Sequence, residues 1–316
     1  MVAPKFRTIW DIPREEKFAP GHSMCQGCAA ALIVRHLMKV VGDAAIVVQA
    51  TGCVEVTTTT FPQTAWLNPY IHLAFENAGA VASGIEAAIK VLKRKGVIPR
   101  DKKIKVVAIV GDGGTFDIGL QSLSGMLERG HDVMYVVYDN EAYMNTGIQR
   151  SSATPYGAWT TTTPIGSKWR GEWRLKKDLM GIVLAHRVPY FATANPAYPV
   201  DMLEKFRKAF EIEGPTVVHV IAPCPPGWRF ASDKTIEVAR MATLTGVWVN
   251  LEVEYGTPRV TVKVPKRKHV KHYLKLQGRF KHLTEEEIAK IQKMVDEYVE
   301  SINKWVGEEA IGPVTD

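Results

Sequence analysis

The four cysteines of this chain are the residues whose type and spacing point most directly to chemistry. Two form a C-x-x-C turn, one follows a short apolar run and one stands between prolines; they are Cys25, Cys28, Cys53 and Cys224. Glycine or proline flanks each position, so we expect irregular backbone there, with N–H groups free to donate hydrogen bonds to sulfur. Four thiolates on such backbone suit a [4Fe–4S] cubane. The pattern indicates redox chemistry that uses every cysteine of the chain.

Other interpretations of the cysteines remain open at this point. Ordinary buried thiols pack as small hydrophobic side chains. A structural zinc site usually has two closely spaced pairs, whereas this chain has one pair and two isolated cysteines. A redox dithiol would use Cys25 and Cys28 but leave Cys53 and Cys224 without a role. Disulfides are not expected, because residues 1–20 show no secretory leader and intracellular thiols stay reduced.

A second group of chemically interesting residues follows two predicted strands. Gly111–Gly113 comes directly after one buried apolar run, and Asn140 follows the next. Ligands of open α/β sheets bind at the carboxyl ends of strands, where glycines let a phosphate approach and a helix start, here predicted near Asp117, favours anionic oxygens. Asp112, the Asn140 amide and the Ala142 carbonyl could supply oxygen ligands for Mg²⁺. The alternative is an ordinary strand-to-helix turn.

The alternation of apolar and amphipathic segments predicts a doubly wound, mostly parallel α/β sheet with helices on both faces. A polar segment, Asn140–Trp173, is long for a connection and is therefore expected to be functional. We expect residues 1–230 to form the α/β domain and residues 231–316 a C-terminal extension that packs on it or on partner subunits. Predicted helices span 29–41, 77–95, 117–129, 176–186, 200–212, 235–244 and 284–306, and predicted strands span 45–50, 104–110, 132–138, 188–194 and 216–222, with a hairpin in 247–264.

Composition and charge narrow the class of protein. Of 316 residues, 46% are hydrophobic, which is enough for a large core. No apolar run approaches the roughly 20 residues of a membrane-spanning helix, so a cytoplasmic protein is expected. The net charge of +7 includes a basic run between Lys263 and Lys281. That run lacks the interleaved aromatic residues of a nucleic-acid surface, so we expect no nucleic-acid partner and interpret it as a solvated face or a docking face for an acidic partner.

Together these motifs resemble a known family. The G-D-G followed by Asn140 resembles the diphosphate- and metal-binding signature of thiamine diphosphate enzymes. With segments 21–28, 50–53 and 140–147 and the late Cys224, it resembles the β subunit of 2-oxoacid:ferredoxin oxidoreductases, especially the pyruvate type. The resemblance runs from about residue 15 to about residue 230, and the four cysteines match the family's proximal [4Fe–4S] site.

The resemblance implies a thiamine diphosphate-binding fold and oxidative decarboxylation of pyruvate with coenzyme A, the electrons passing through the cluster to ferredoxin. It also implies partner subunits (α, γ and δ, or fused equivalents), one of which supplies the glutamate that activates the cofactor, so the chain alone is expected to be inactive. Asp112, Asn140 and the Ala142 carbonyl would hold Mg²⁺, the four cysteines the cluster, and Asn145 would face the substrate as the catalytic candidate. The implied cofactor contacts are Gly27, Cys28, Gly52, Gly111, Asp112, Gly113, Asn140, Ala142, Asn145 and Thr146.

One departure from the family pattern concerns Ala29, which stands where relatives commonly have glycine after the second cysteine. The added bulk leaves the substrate open between pyruvate and oxalate, 2-oxoisovalerate, 2-oxoglutarate or an arylpyruvate. Two further hypotheses come from other classes of protein. An iron-free thiamine diphosphate decarboxylase or synthase would leave the cysteines unexplained, and a zinc or thiol-redox scaffold would leave the metal–diphosphate signature unexplained.

Overall fold

Eight strands form one sheet in the computed structural model, which describes residues 5–316. They are β1 (Ala45–Ala50), β2 (Tyr70–Leu73), β3 (Lys105–Gly111), β4 (Val133–Asp139), β5 (Tyr190–Ala194), β6 (Thr216–Ile221), β7 (Leu251–Glu254) and β8 (Thr257–Val260). The spatial order is β2-β1-β3-β4-β6-β5-β7-β8. The first six strands in that order are parallel, and β7 and β8 are antiparallel additions. The predicted mostly parallel α/β fold is confirmed.

Helices cover both faces of this sheet. They are α1 (Ala29–Val41), α2 (Cys53–Thr58), α3 (Ala78–Arg94), α4 (Leu120–Glu128), α5 (Leu179–Ala185), α6 (Pro199–Glu211), α7 (Pro225–Trp228), α8 (Thr235–Leu244), α9 (Lys271–Lys275) and α10 (Glu285–Val306). A π-helical turn, Gly113–Ile118, joins β3 to α4. Helices α1 and α6 pack together, as do α3 and α4.

Alternating side chains of the central strands fill two cores, one on each face of the sheet. In β3, Val106, Ala108 and Val110 belong to the core that includes α3 and α4. Val107 and Ile109 belong to the opposite core, which includes α1 and α6. Burial on both faces explains why the parallel strands are almost continuously apolar.

The C-terminal residues continue the same sheet and the same core. The predicted hairpin is present as β7 and β8, joined by Tyr255 and Gly256, which both have positive φ. Helix α10 begins with a capping box between Thr284 and Glu287 and buries one side against the first core. The domain boundary at residue 230 stays a prediction, although residues on both sides of it share this core.

Three local features differ from the sequence-based expectations. Cys53 is predicted in a loop, but α2 begins there with Gly52 as its N-cap. The helix predicted near Asp117 begins earlier, because the glycine pair Gly113-Gly114 lets the π-helical turn fold tightly against the end of β3. Strand β2 is not predicted at all.

Helices long and apolar enough to cross a membrane are absent from residues 5–316. The cytoplasmic location stays a prediction.

Candidate functional site

The carboxyl ends of four adjacent strands bring the predicted site residues to one edge of the sheet. Strands β1, β3, β4 and β6 are consecutive neighbours and run parallel. The connection after β1 carries Cys53, the one after β3 carries Asp112, the one after β4 carries Asn140, and the one after β6 carries Cys224. Topology alone therefore assembles residues that are up to 171 positions apart, which is the difference between 224 and 53.

A cleft opens at this edge. Glycines shape its wall: a Cβ on Gly52 would lie 2.6 Å from the Tyr138 hydroxyl, and one on Gly113 would collide with the Tyr143 ring. Tyr143 is itself fixed, because its hydroxyl donates to the Gly113 carbonyl at 3.1 Å. The cleft is lined by Thr51, Gly52, Cys53, Phe75, Gly111, Asp112, Gly113, Gly114, Tyr138, Asn140, Ala142, Tyr143, Met144, Asn145 and Thr146.

Three oxygen atoms converge at the floor of the cleft. Asn140 Oδ1 lies 2.8 Å from the Ala142 carbonyl oxygen and 2.9 Å from Asp112 Oδ1. Oxygens this close repel each other unless a cation lies among them or the amide is turned so that its nitrogen donates to both. In an octahedral Mg²⁺ site with bonds of about 2.0–2.1 Å, neighbouring ligand oxygens are about 3 Å apart. The three residues therefore fit a Mg²⁺ ion.

Asp112 is buried, and its second oxygen accepts a hydrogen bond of 2.5 Å from Ser151 Oγ. Burial, and next the negative charge of Asp139, raise the pKa of Asp112. Burial also opposes the ionisation of Asp139, but Lys176 and His219 lower the pKa of Asp139 overall. Their nitrogens lie 2.6 and 2.7 Å from Asp139 Oδ2. Lys176 and His219 thus balance the charge of Asp139, whereas Asp112 lines the cleft.

The four cysteine thiols are free and lie close enough to influence one another electrostatically. Burial, and then the neighbouring thiols, raise the pKa of Cys53 to about 12. Burial also raises the pKa of Cys224 to about 12, while the nearby Gly227 amide opposes this shift. Burial likewise raises the pKa of Cys28, the N-cap residue of α1, and the nearby Ala31 and Ala30 amides oppose this shift. Backbone amides near sulfur are the environment expected around a thiolate-bound cluster.

The C-x-x-C turn is held by the segment before α8. Gly27 has φ of 71°, and a Cβ there would collide with the Ser232 carbonyl. Thr235 Oγ1 donates to the Gly27 carbonyl at 2.5 Å. Cys25 is exposed, so this turn forms the outer side of the cysteine group.

Met144 and Trp228 connect the cysteine group to the cleft. Met144 lines the cleft, and Gly227 leaves room for its thioether, since a Cβ on Gly227 would overlap Met144 and lie 3.3 Å from Cys224 Sγ. Trp228 Nε1 donates to the Asn140 carbonyl at 2.8 Å. The two predicted sites are therefore neighbours in direct contact.

Eight of the ten predicted cofactor contacts line the cleft, whereas Gly27 and Cys28 lie in the C-x-x-C turn. Asn145 and Thr146 are exposed at the rim. In residues 5–316 no three His, Cys, Asp or Glu side chains converge as ligands of one metal ion. The oxygen triangle of Asp112, Asn140 and Ala142 contains only one such side chain, because its other two oxygens belong to an amide and a main-chain carbonyl. In a cubane, each thiolate bonds to a different iron.

Sequence reasoning missed several residues that shape the site. Ser151, Glu141 and Lys176 contact the site acids, and Arg279 belongs to the basic run for which a solvated face or a docking face is predicted. Only the long polar segment Asn140–Trp173 gave a signal, and it covers Ser151 and Glu141 but not Lys176. Arg279 is 2% exposed, so the basic run is not uniformly a surface feature.

Comparison with known proteins places this geometry in a family. Residues 50–220 match the family described as "Thiamine pyrophosphate enzyme, C-terminal TPP binding domain". The chain is 57% identical to the pyruvate synthase subunit PorB of Methanocaldococcus jannaschii, over 92% of this chain and 97% of that protein. It is 50% identical to the ketoisovalerate oxidoreductase subunit VorB of Pyrococcus abyssi, over 93% of this chain and 94% of that protein. The chain belongs to the β-subunit family of 2-oxoacid:ferredoxin oxidoreductases.

The fold of this β subunit also resembles a solved structure, that of a 2-oxoglutarate:ferredoxin oxidoreductase from Magnetococcus marinus. The TM-score is 0.54 at 22% identity, with 71% of this chain and 79% of the other covered, so the likeness concerns the fold alone. The family match contains the whole oxygen triangle and Cys53. Cys25, Cys28 and Cys224 lie outside it.

Proposed function

We propose that this β subunit binds thiamine diphosphate with Mg²⁺ in the cleft and a [4Fe–4S] cluster on its four cysteines, for oxidative decarboxylation of a 2-oxoacid. The observation that carries the proposal is the convergence, at one sheet edge, of the Asp112–Asn140–Ala142 oxygen triangle with the cysteine group. Met144 and Trp228 fill the short distance between them. A thiamine site without redox function would not need four thiols beside it.

Each residue has a role that follows from its position. Asp112 supplies the charged metal ligand, and Asn140 and Ala142 supply neutral oxygens. Gly111 and Gly113 keep side chains away from the diphosphate, and the start of the π-helical turn presents amide groups to it. When bound, thiamine diphosphate supplies the covalent chemistry of decarboxylation and the cluster accepts the electrons. Asn145 and Thr146, exposed at the rim, are positioned to meet the substrate.

We propose pyruvate as the substrate, with coenzyme A as acyl acceptor and ferredoxin as electron acceptor. The support is the similarity to subunits named pyruvate synthase and the motif resemblance described above. Identities of 47–57% to pyruvate synthase subunits overlap those of 49–50% to ketoisovalerate oxidoreductase subunits. 2-Oxoisovalerate is therefore the second candidate.

The test is to purify the complex of this chain with its partner subunits under anaerobic conditions. Iron, sulfide and thiamine diphosphate contents are measured first. Coenzyme A-dependent reduction of a viologen dye is then followed with pyruvate, 2-oxoisovalerate, 2-oxoglutarate and oxalate. We expect bound cofactor, a cluster with its visible absorbance, and the highest kcat/KM for pyruvate. A colourless, iron-free complex that decarboxylates 2-oxoacids would instead support the iron-free hypothesis.

A further inference from the structure

A buried ion-pair network lies directly behind the oxygen triangle. Asp139, Glu141 and Arg279 are each at most 4% exposed. Lys176 Nζ lies 2.6 Å from Asp139 Oδ2 and 2.9 Å from Glu141 Oε1. Arg279 Nη2 lies 2.6 Å from Glu141 Oε2. Two acids are thus matched by two bases, which leaves Asp112 as the carboxylate that faces the cleft.

Glu141 stands between two members of the triangle and has an unusual backbone. Its φ of 65° lies in the left-handed region, which is disfavoured for residues with a Cβ. On either side of this reversal lie Asn140 and Ala142, and the Asn140 amide is 2.8 Å from the Ala142 carbonyl oxygen and 2.9 Å from Asp112 Oδ1. Surrounding bonds hold it: the Glu141 amide donates to Asp139 at 3.0 Å, and its carbonyl accepts from Thr154 at 2.7 Å.

Arg279 contacts Glu141 directly and Asn140 through Trp228. Its guanidinium pairs with Glu141 and lies 3.8 Å from the centre of the Trp228 ring. Trp228 in turn donates to the Asn140 carbonyl. Arg279 Nε also donates to Gln277 Oε1 at 2.9 Å, which fixes the plane of the guanidinium. A planar group with several donors can do all of this at once, whereas an ammonium group cannot.

We propose that Arg279 is a positioning residue that holds Glu141 in its left-handed conformation and thereby keeps the Asn140 and Ala142 oxygens directed at the metal. It does not line the cleft and so acts through other residues. The inference rests on the proposed function, because the metal is the one proposed there.

The experiment uses the assembled complex with Arg279→Met. The Mg²⁺ concentration needed for half-maximal thiamine diphosphate binding is measured by calorimetry, and Mn²⁺ affinity by EPR. We expect both to shift toward weaker metal binding by at least tenfold. Arg279→Lys keeps the charge but loses the paired N–H donors and the stacking on Trp228. Its metal affinity should therefore lie between those of the wild type and Arg279→Met.

Arg267 offers a matched control for general loss of stability. It is also buried, and it pairs with Asp296 at 2.7 Å and donates to the Gly312 carbonyl at 2.7 Å, in contacts that do not involve the triangle. Arg267→Met should lower the thermal stability comparably and leave metal affinity within twofold of the wild type. Equal losses of metal affinity in both variants would mean that Arg279 is merely structural and would overturn the proposal.

A rescue variant tests the backbone argument itself. Glycine adopts positive φ without side-chain support, so Glu141→Gly combined with Arg279→Met should recover part of the lost metal affinity. No recovery in a folded double variant would contradict the proposed role. If Arg279→Met fails to assemble, the same test uses Arg279→Lys and the isosteric Glu141→Gln. Metal affinity within twofold of the wild type in both variants would overturn the proposed role of Arg279.

An Asp112→Asn variant separates this inference from the proposed function. Loss of metal binding in Asp112→Asn with unchanged binding in Arg279→Met would overturn the inference and leave the proposed function standing. A wild-type complex that binds thiamine diphosphate equally well with and without Mg²⁺ would overturn both.

Discussion

At the scale of single residues, Asp112 has the environment expected of a carboxylate that binds a cation. Burial and next the charge of Asp139 raise its pKa, because both disfavour the negatively charged carboxylate. A divalent ion reverses this balance, since its charge dominates the local electrostatics. Metal and carboxylate therefore stabilise each other in the proposed site.

We predict that Asp112→Asn weakens Mg²⁺-dependent binding of thiamine diphosphate at least about tenfold, or roughly 1.4 kcal/mol, because a charged ligand becomes neutral while the shape is kept. Calorimetric titration of the assembled complex gives the affinity. Asp117→Asn is the control: Asp117 lies in the adjacent π-helical turn but accepts a hydrogen bond from Ser152 N and pairs with Lys177. Equal affinities in the Asp112 variant and the wild type would contradict the metal site.

For the cysteine group, we predict that Cys224→Ser loses the cluster while the complex still assembles. A hydroxyl is a poorer ligand for iron than a thiolate. Iron and sulfide analysis and the reduced-state EPR spectrum of anaerobic protein provide the measurement. Met144→Leu, a change of similar volume beside Cys224, should retain full iron content. Full iron with an unchanged spectrum in Cys224→Ser would exclude the four-thiolate assignment.

The sequence was sufficient to predict nine of the residues that line the cleft, because each lies at or after the end of a strand whose apolar run is easily recognised. It did not predict Phe75, which follows the unpredicted strand β2. It was not sufficient for the residues that support them. Arg279 looks like one more member of a basic run, and only the tertiary structure shows it buried against Glu141. The left-handed backbone of Glu141 has no signal either, since glycine or asparagine is the usual residue there.

At the scale of secondary-structure elements, the small residues of α3 serve contacts within the chain. Gly79 lies against α4, where a Cβ would approach the Ser122 carbonyl carbon to 2.6 Å. Ser122 Oγ also accepts a hydrogen bond from the Ala80 amide at 2.9 Å. On the opposite side of the helix, Gly84 has no atom within 4 Å of where its Cβ would be.

These two glycines give opposite predictions within one helix. Gly79→Ala should lower the free energy of unfolding by about 1–3 kcal/mol, because α3 and α4 must move apart. Gly84→Ala should raise it by about 0.5–1 kcal/mol, since alanine loses less backbone entropy than glycine on helix formation. Denaturant unfolding of both variants provides the measurement. If both substitutions changed the free energy of unfolding in the same direction, the described packing of α3 on α4 would be contradicted.

The elements that the sequence did not predict are short or locally ambiguous. Strand β2 has four residues and is half exposed at the edge of the sheet, so it lacks the apolar run of β3 and β4. Helix α2 reads Cys-Val-Glu-Val-Thr-Thr, which favours a strand by propensity. The burial of Val54, Glu55 and Thr58 in the folded chain outweighs this strand propensity. Long amphipathic helices such as α1 and α10 were predicted to within a residue.

At the scale of the whole molecule, the cleft is proposed to be one side of a site that a partner subunit completes. Among the described residues that line it, Asp112 is the only carboxylate, and its Oδ1 belongs to the oxygen triangle. In residues 5–316 no glutamate lines the cleft, so the activating glutamate that the family resemblance implies would come from a partner subunit. The relatives are themselves named as subunits of larger enzymes.

We therefore predict that the chain alone, reconstituted anaerobically with iron, sulfide, Mg²⁺ and thiamine diphosphate, shows no pyruvate- and coenzyme A-dependent reduction of viologen. Adding the partner subunits to the same preparation should restore turnover, which controls for misfolding. Robust turnover by the single chain would show that the catalytic site is complete without a partner.

The contact between Arg279 and Glu141 joins residues 138 positions apart, and this has a consequence for the order of synthesis. Strands β1, β3, β4 and β6, and every residue proposed to touch the metal, leave the ribosome first. The arginine proposed to support the metal-binding turn is made after all of them. A nascent chain would therefore display a metal site that is assembled but unsupported, and we expect stable cofactor loading only after Arg279 has also left the ribosome.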